Sequence, residues 1–245
     1  MTRKQVVTKL NKQTEGKSKV PPKHPQWNVW QGLFLLLLID LLEFPLGWLQ
    51  TPQDLDQLRG FLRFLAVGVG EVALYLSLLI VFFKLIRRPW SELGFVRPRG
   101  KYLILGLFMG VFLFFTVGLL GNLLAKWFGT PAPQSFTLVV NGSSYNWQIF
   151  LLMFLGGVLA PIKEEAFFRG LFYPPLREMY GRGKGILLTA GFFAVLHFDV
   201  IRFLPLFIGG IILTWLYEKT SSLWPSIVAH GTWNILMALA LWIQR

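Results

Sequence analysis

Seven apolar runs, near residues 28–49, 62–86, 102–128, 147–173, 185–198, 203–217 and 223–243, fill almost all of the chain beyond its first 26 residues. Most approach the ~20 residues that a helix needs to cross the hydrocarbon core of a bilayer. The fifth and sixth are short, which points to tilt, to burial among neighbours, or to helices that extend past the apolar run. Only 15% of residues are charged, against about 25% in an ordinary soluble domain. The expected fold class is therefore all-α: a polytopic transmembrane helical bundle of about seven (six to eight) helices, forming a single membrane domain over 27–245.

Charge is distributed as in a membrane protein. Twenty-four Lys and Arg stand against 12 Asp and Glu, a formal net charge of +12. Seven of the basic residues, Arg3 to Lys23, fall within residues 1–26, which end in Pro21-Pro22 and Pro25. That stretch reads as a disordered basic tail drawn to anionic headgroups. It is long for the n-region of a signal peptide, and no small-residue cleavage site follows the first apolar run, which is therefore expected to stay as a membrane helix. The loop holding Lys84, Arg87, Arg88, Arg97, Arg99 and Lys101 and the one holding Arg177, Arg182 and Lys184 are basic, whereas the loops between are neutral or acidic. This alternation predicts a cytoplasmic N-terminus and an odd number of crossings. No basic face interleaved with aromatics appears in a soluble segment, so nucleic acid is not an expected partner; the lipid bilayer is. Cysteine is absent, which excludes disulfides and thiol catalysis.

Ionisable residues inside such runs are costly and mark function by default. The fourth run carries Lys163-Glu164-Glu165-Ala166-Phe167-Phe168-Arg169-Gly170. Residues four apart share a helix face, so Glu165 and Arg169 can pair. Glu164, rotated by about 100°, faces elsewhere. Phe193 with His197, and His230 with Asn234, are likewise four apart. Counting from the basic side, Glu164 lies ten residues before Pro174 and His197 twelve after Gly185, about 15–18 Å deep in each case. His230 and Asn234 follow Leu223 by 7 and 11 residues, into the same slab. Pro174-Pro175 is expected to end the fourth helix, ahead of a turn near Gly181-Arg182-Gly183. The competing reading of Lys163, Glu164 and Glu165 is a headgroup-level charge cluster. For Asp40, Glu43 and Glu71, in the first two runs, headgroup contact or interhelical pairing is expected. Trp27, Trp30, Trp48 and Trp90 lie near predicted membrane borders.

At these residues the sequence resembles the CAAX-protease and bacteriocin-processing (Abi-type) family of intramembrane peptidases. Its motifs, Glu-Glu-x-x-x-Arg, Phe-x-x-x-His and His-x-x-x-Asn or Asp, are met in order by Glu164, Glu165 and Arg169, by Phe193 and His197, and by His230 and Asn234. The resemblance covers about 145–240, and Ser91-Glu92-Leu93-Gly94-Phe95 is more loosely similar. It implies an endopeptidase that hydrolyses a peptide bond of a membrane-associated or prenyl-type substrate with a glutamate-activated water. Glu164 would be the general base and His197 would help hold the water. His230 and Asn234 would polarise the scissile carbonyl, with Glu165, Arg169 and Phe193 in support. No cofactor is expected, although Glu164, His197 and His230 would be an acceptable zinc set; there is no His-Glu-x-x-His, and Asn is a poor zinc ligand. Two other readings stay open: a non-catalytic membrane chaperone or immunity protein of the same fold, and a proton-coupled transporter. A peptide or lipidated-protein substrate is the expected partner, and the bacterial plasma membrane the expected location.

Overall fold

The structure is a computed structural model that describes residues 25–48 and 57–244; most of the basic tail and the acidic residues Asp54 and Asp56 of the first loop lie outside them. All regular structure among the described residues is helical. In order it comprises α1 (Val29–Trp48), α2 (Gln57–Leu85), a short turn of 3₁₀ helix (Trp90–Leu93), α3 (Gly100–Phe128) and α4 (Ser135–Gly142). One long rod follows, built of α5 (Asn146–Phe154), a π-helical stretch (Leu155–Leu159), α6 (Ala160–Glu165) and a second π-helical stretch (Ala166–Phe172). It continues into α7 (Tyr173–Val195), and α8 (Val200–Thr220) and α9 (Leu223–Ile243) complete the chain.

Four helices, Leu58–Leu85, Gly100–Phe128, Val200–Thr220 and Leu223–Ile243, are long and apolar enough to cross a membrane. The outer face of α3 carries exposed Phe108, Phe112, Phe115 and Leu119, which suit lipid. The sixth apolar run is longer than its hydropathy suggested. Asp199 caps α8 by accepting from the Arg202 backbone N–H at 2.9 Å, so the helix starts three residues earlier than expected.

Helix α9 is the axis of the bundle. It packs against α3, α4, α5, α6, α8 and both π-helical stretches. Small residues permit this. A Cβ on Gly106 would meet the Pro225 carbonyl oxygen at 2.5 Å, and one on Gly110 would meet that of Ala229 at the same distance. Two glycines one turn apart let α3 lie directly on the α9 backbone, a packing mode common where no hydrophobic effect drives helices together.

The ends at which the basic loops gather are tied together. Gly94, at φ +100°, closes the 3₁₀ turn, and its carbonyl accepts from the Leu223 backbone N–H at 2.9 Å. Ser222 Oγ donates to the Val96 carbonyl at 2.7 Å. Glu218 on α8 accepts from Tyr173, at 2.9 Å, and from Arg177, at 2.8 Å, on α7. The chain does reverse at Gly181 (φ 78°, ψ 170°). Pro174 and Pro175 do not end the helix as expected: they occupy the first turn of α7, where a missing N–H is tolerated because the preceding π-helical stretch has already re-registered the backbone.

Candidate active site

Two π-helical stretches flank the acidic pair. A π turn widens the helix and leaves carbonyls without their usual partners, and such turns concentrate at functional sites. Here side chains from elsewhere in the chain donate to carbonyls of the two stretches. Asn234 Nδ2 donates to the Gly156 carbonyl at 2.8 Å, and the Trp27 indole N–H donates to that of Leu171 at 2.7 Å. Trp27 is therefore buried against the site rod and is not a border anchor, whereas Trp30 is exposed.

Glu165 is fully buried and makes the central ion pair. Arg169 Nη1 donates to its Oε1 at 2.8 Å, with both side chains at 0% exposure. Arg169 also donates from Nε to Thr214 Oγ and from Nη2 to the Gly210 carbonyl, each at 3.3 Å. Its guanidinium stacks over the Phe193 ring, 4.9 Å from the centroid. The helical spacing of four anticipated the pair; the partners on α8 were not anticipated. Thr214, the one hydroxyl within the apolar stretch 203–216 of that helix, was the available signal.

The same Glu165 Oε1 receives His230 Nδ1 at 2.8 Å. A carboxylate only accepts, so Nδ1 carries the proton and Nε2 is the nitrogen turned outward. Nε2 lies 3.8 Å from Glu164 Oε2, and the Glu164 side chain keeps 25% exposure. Glu164 and Glu165, adjacent in sequence, thus have separate tasks. One is sealed and orients a histidine; the other opens beside that histidine.

Phe193, itself fully buried, touches both histidines, with ring centroids 4.7 Å from His197 and 6.0 Å from His230. His197 Nδ1 donates to the Phe193 carbonyl at 2.8 Å, which leaves Nε2 free to accept. Among the described residues no hydrogen bond or ion pair joins His197 to Glu164. The structure therefore brings Glu164, Glu165, Arg169 and His230 into direct contact, with Phe193 packed beneath. His197 is linked to them through Phe193, and Asn234 is held at the π turn with one amide N–H committed there and one remaining.

Among the described residues no group of three His, Asp or Glu side chains is placed to hold a metal ion; Nδ1 of His197 and of His230 is engaged, which leaves Nε2 of each as the nitrogen open to a further partner.

Glycine again sets the approach of the site helices. A Cβ on Gly231 would collide with the Gly157 carbonyl oxygen, and one on Gly157 with Ile235. Because the first obstacle is backbone, Gly231→Ala is expected to push α9 off the first π turn, with a loss of about 1–3 kcal/mol. Thermal unfolding of the purified variant measures this; an unchanged Tm would show that the two backbones are not in contact.

Comparison with known proteins finds a family and a curated relative. Residues 146–236 match the family described as Type II CAAX prenyl endopeptidase Rce1-like. Over 85 residues the chain is 33% identical to UPF0177 protein YaiF of Lactococcus lactis subsp. lactis, covering 33% of this chain and 36% of that protein. The chain therefore spans about a third of the length of the curated relative it matches. No solved structure matches.

Proposed function

We propose that this chain, whose residues 146–236 match the Rce1-like family, is an intramembrane endopeptidase in which Glu164 activates the attacking water. The observation that carries the reading is the division of labour between the adjacent glutamates. Glu165 is sealed between Arg169 and His230 Nδ1, and this turns His230 Nε2 toward the partly exposed carboxylate of Glu164. A hydrolase requires a base within reach of water and donors directed at the charge that develops.

In the proposed reaction Glu164 takes a proton from water as its oxygen bonds to the scissile carbonyl carbon. His230, when protonated at both nitrogens, donates from Nε2 to the carbonyl oxygen, and the uncommitted Asn234 amide N–H is a second donor. His197 Nε2 accepts a hydrogen bond from the water. Collapse of the tetrahedral adduct breaks the C–N bond, and the proton held by Glu164 passes to the leaving amine. Glu165, Arg169 and Phe193 hold this arrangement without touching substrate. The chemistry runs without a metal ion.

The substrate is a peptide bond of a membrane-associated or prenyl-type chain. We place the protein in a bacterial plasma membrane, with its N-terminus and the basic loops cytoplasmic. Purified protein in nanodiscs, exhaustively treated with chelator, is expected to cleave a panel of prenylated and membrane-embedded fluorogenic peptides at the untreated rate. Activity that disappears with chelation and returns with zinc would overturn the metal-free mechanism. No cleavage of any peptide, with intact fold, would favour a non-catalytic role.

A further inference from the structure

Helix α2 ends in a tight reversal that builds a cavity on the basic side of the bundle. The Arg88 backbone N–H donates to the Phe83 carbonyl at 2.9 Å, and that of Arg87 to the Lys84 carbonyl at 3.1 Å. Arg87 takes the left-handed conformation, φ 54°, that this double cap requires and that glycine usually supplies. The cap folds Arg88 back over the last turn of the helix. Pro89 and the 3₁₀ turn then bring Trp90 beside Phe83, with ring centroids 6.0 Å apart, and flat against Phe95 at 5.5 Å. Ile80, Phe83, Lys84, Arg88 and Trp90 line a cavity of about 250 Å³.

The lining is sorted by chemistry. Phe83, Trp90 and Ile80 make apolar walls. Phe83 is only 2% exposed and packs edge-on against Trp27 at 5.2 Å, so that wall is fixed before any ligand arrives. Lys84 and Arg88 supply two cations, and Glu92 answers one of them. Arg88 Nε donates to Glu92 Oε2 at 2.8 Å and its Nη2 stands 2.7 Å from Oε1. This pair fixes the guanidinium plane and leaves Nη1 with its two donors. Among the described residues no hydrogen bond or ion pair engages the Lys84 ammonium, and Lys84 is exposed.

The cavity also straddles two solvents. Ile80, Val81 and Leu85, on the same turns of α2, are exposed apolar side chains, which suit acyl chains. Arg87, Arg97, Arg99 and Lys101, exposed just beyond it, suit the headgroup layer.

We propose that this cavity binds an anionic phospholipid of the surrounding leaflet, with phosphate oxygens on Lys84 Nζ and Arg88 Nη1 and the first acyl carbons against Ile80, Phe83 and Trp90. A basic pocket between helices at the membrane surface is suited to acidic headgroups, and hydrogen bonds between ionised partners are the strong ones. The apolar walls favour a lipid over a free phosphate, which would leave them wet. The unanswered positive charge disfavours a zwitterionic lipid, whose own cation would meet Lys84. The volume takes a phosphate and its glycerol, and the chains continue down the exposed face of α2.

The test titrates full-length protein in a neutral maltoside detergent with dioctanoyl phosphatidylglycerol and counts bound lipid by native mass spectrometry. The first equivalent is expected to bind about tenfold tighter than dioctanoyl phosphatidylcholine, the worth of one charge-assisted hydrogen bond. Lys84→Gln, at an exposed position, should erase that preference. So should Ile80→Trp, which fills the cavity and keeps every charge. Arg97→Gln with Lys101→Gln removes more charge from the same side but outside the cavity, and should leave the preference intact, since diffuse attraction to the basic loops is common to all the lipids bound there. Equal affinity for the two lipids, or a preference that survives either Lys84→Gln or Ile80→Trp, overturns the site. A preference lost equally in the Arg97 and Lys101 pair also overturns it, because the attraction would then be diffuse. Glycerol phosphate or inorganic phosphate that displaces the lipid at equal concentration would overturn phospholipid as the occupant.

Discussion

Glu164→Gln is expected to lower peptide hydrolysis by about 10²–10⁴-fold, the usual worth of a positioned general base, while the protein keeps its yield and melting temperature. The amide is nearly the size and shape of the carboxylate but cannot take a proton from water. Glu164 is also the one member of the acidic pair with no buried hydrogen bond to lose: its neighbour His230 Nε2 stands at 3.8 Å, beyond hydrogen-bonding range. Removing its charge should therefore spare the fold. Initial rates and thermal unfolding on the same preparation check both halves. Undiminished cleavage would reject Glu164 as the base, and a large fall in Tm would mark it as structural.

Arg169→Leu should do the reverse and act on stability first. It leaves Glu165 fully buried with its main counter-charge gone, and breaking a buried pair from one side costs about 3–5 kcal/mol. The position has no spare partners to absorb the loss. Glu165 Oε1 is shared by Arg169 and His230, and its Oε2 has none. Arg169 further ties the rod to α8 through Thr214 and Gly210, so its loss loosens two helices together. Thermal unfolding in detergent should show a collapse in Tm and poor yield. Glu165→Gln in the Arg169→Leu background should recover part of the stability, because the uncompensated charge is gone, but should not recover activity, because His230 is no longer oriented by a carboxylate. A single Arg169→Leu variant with normal melting would show that the pair does not bear on the fold.

How much of this was legible in the sequence follows from what each residue does. Glu164, Glu165, Arg169, His197 and His230 stand out because charge inside membrane-length apolar runs is conspicuous, and spacing by four predicts which neighbours share a face. The Glu165–Arg169 pair and the Gly181 reversal were accessible in that way. The link from Glu165 to His230 was not, since the two are 65 positions apart and nothing local encodes the contact. The π-helical stretches were also hidden. They change backbone register without changing composition, and they explain why Pro174-Pro175 begins α7 where the residue types alone suggested a stop. Asn234 was expected to face substrate; one of its two amide donors is instead spent on a π-turn carbonyl.

If Glu164 drives hydrolysis of peptide bonds in the membrane, the peptide termini of the native host carry its imprint. Cells carrying the wild-type protein should contain new N- and C-termini within membrane-embedded or membrane-anchored segments. Those termini should vanish in cells carrying Glu164→Gln at equal abundance. Identical sets of termini in the two strains would contradict the account.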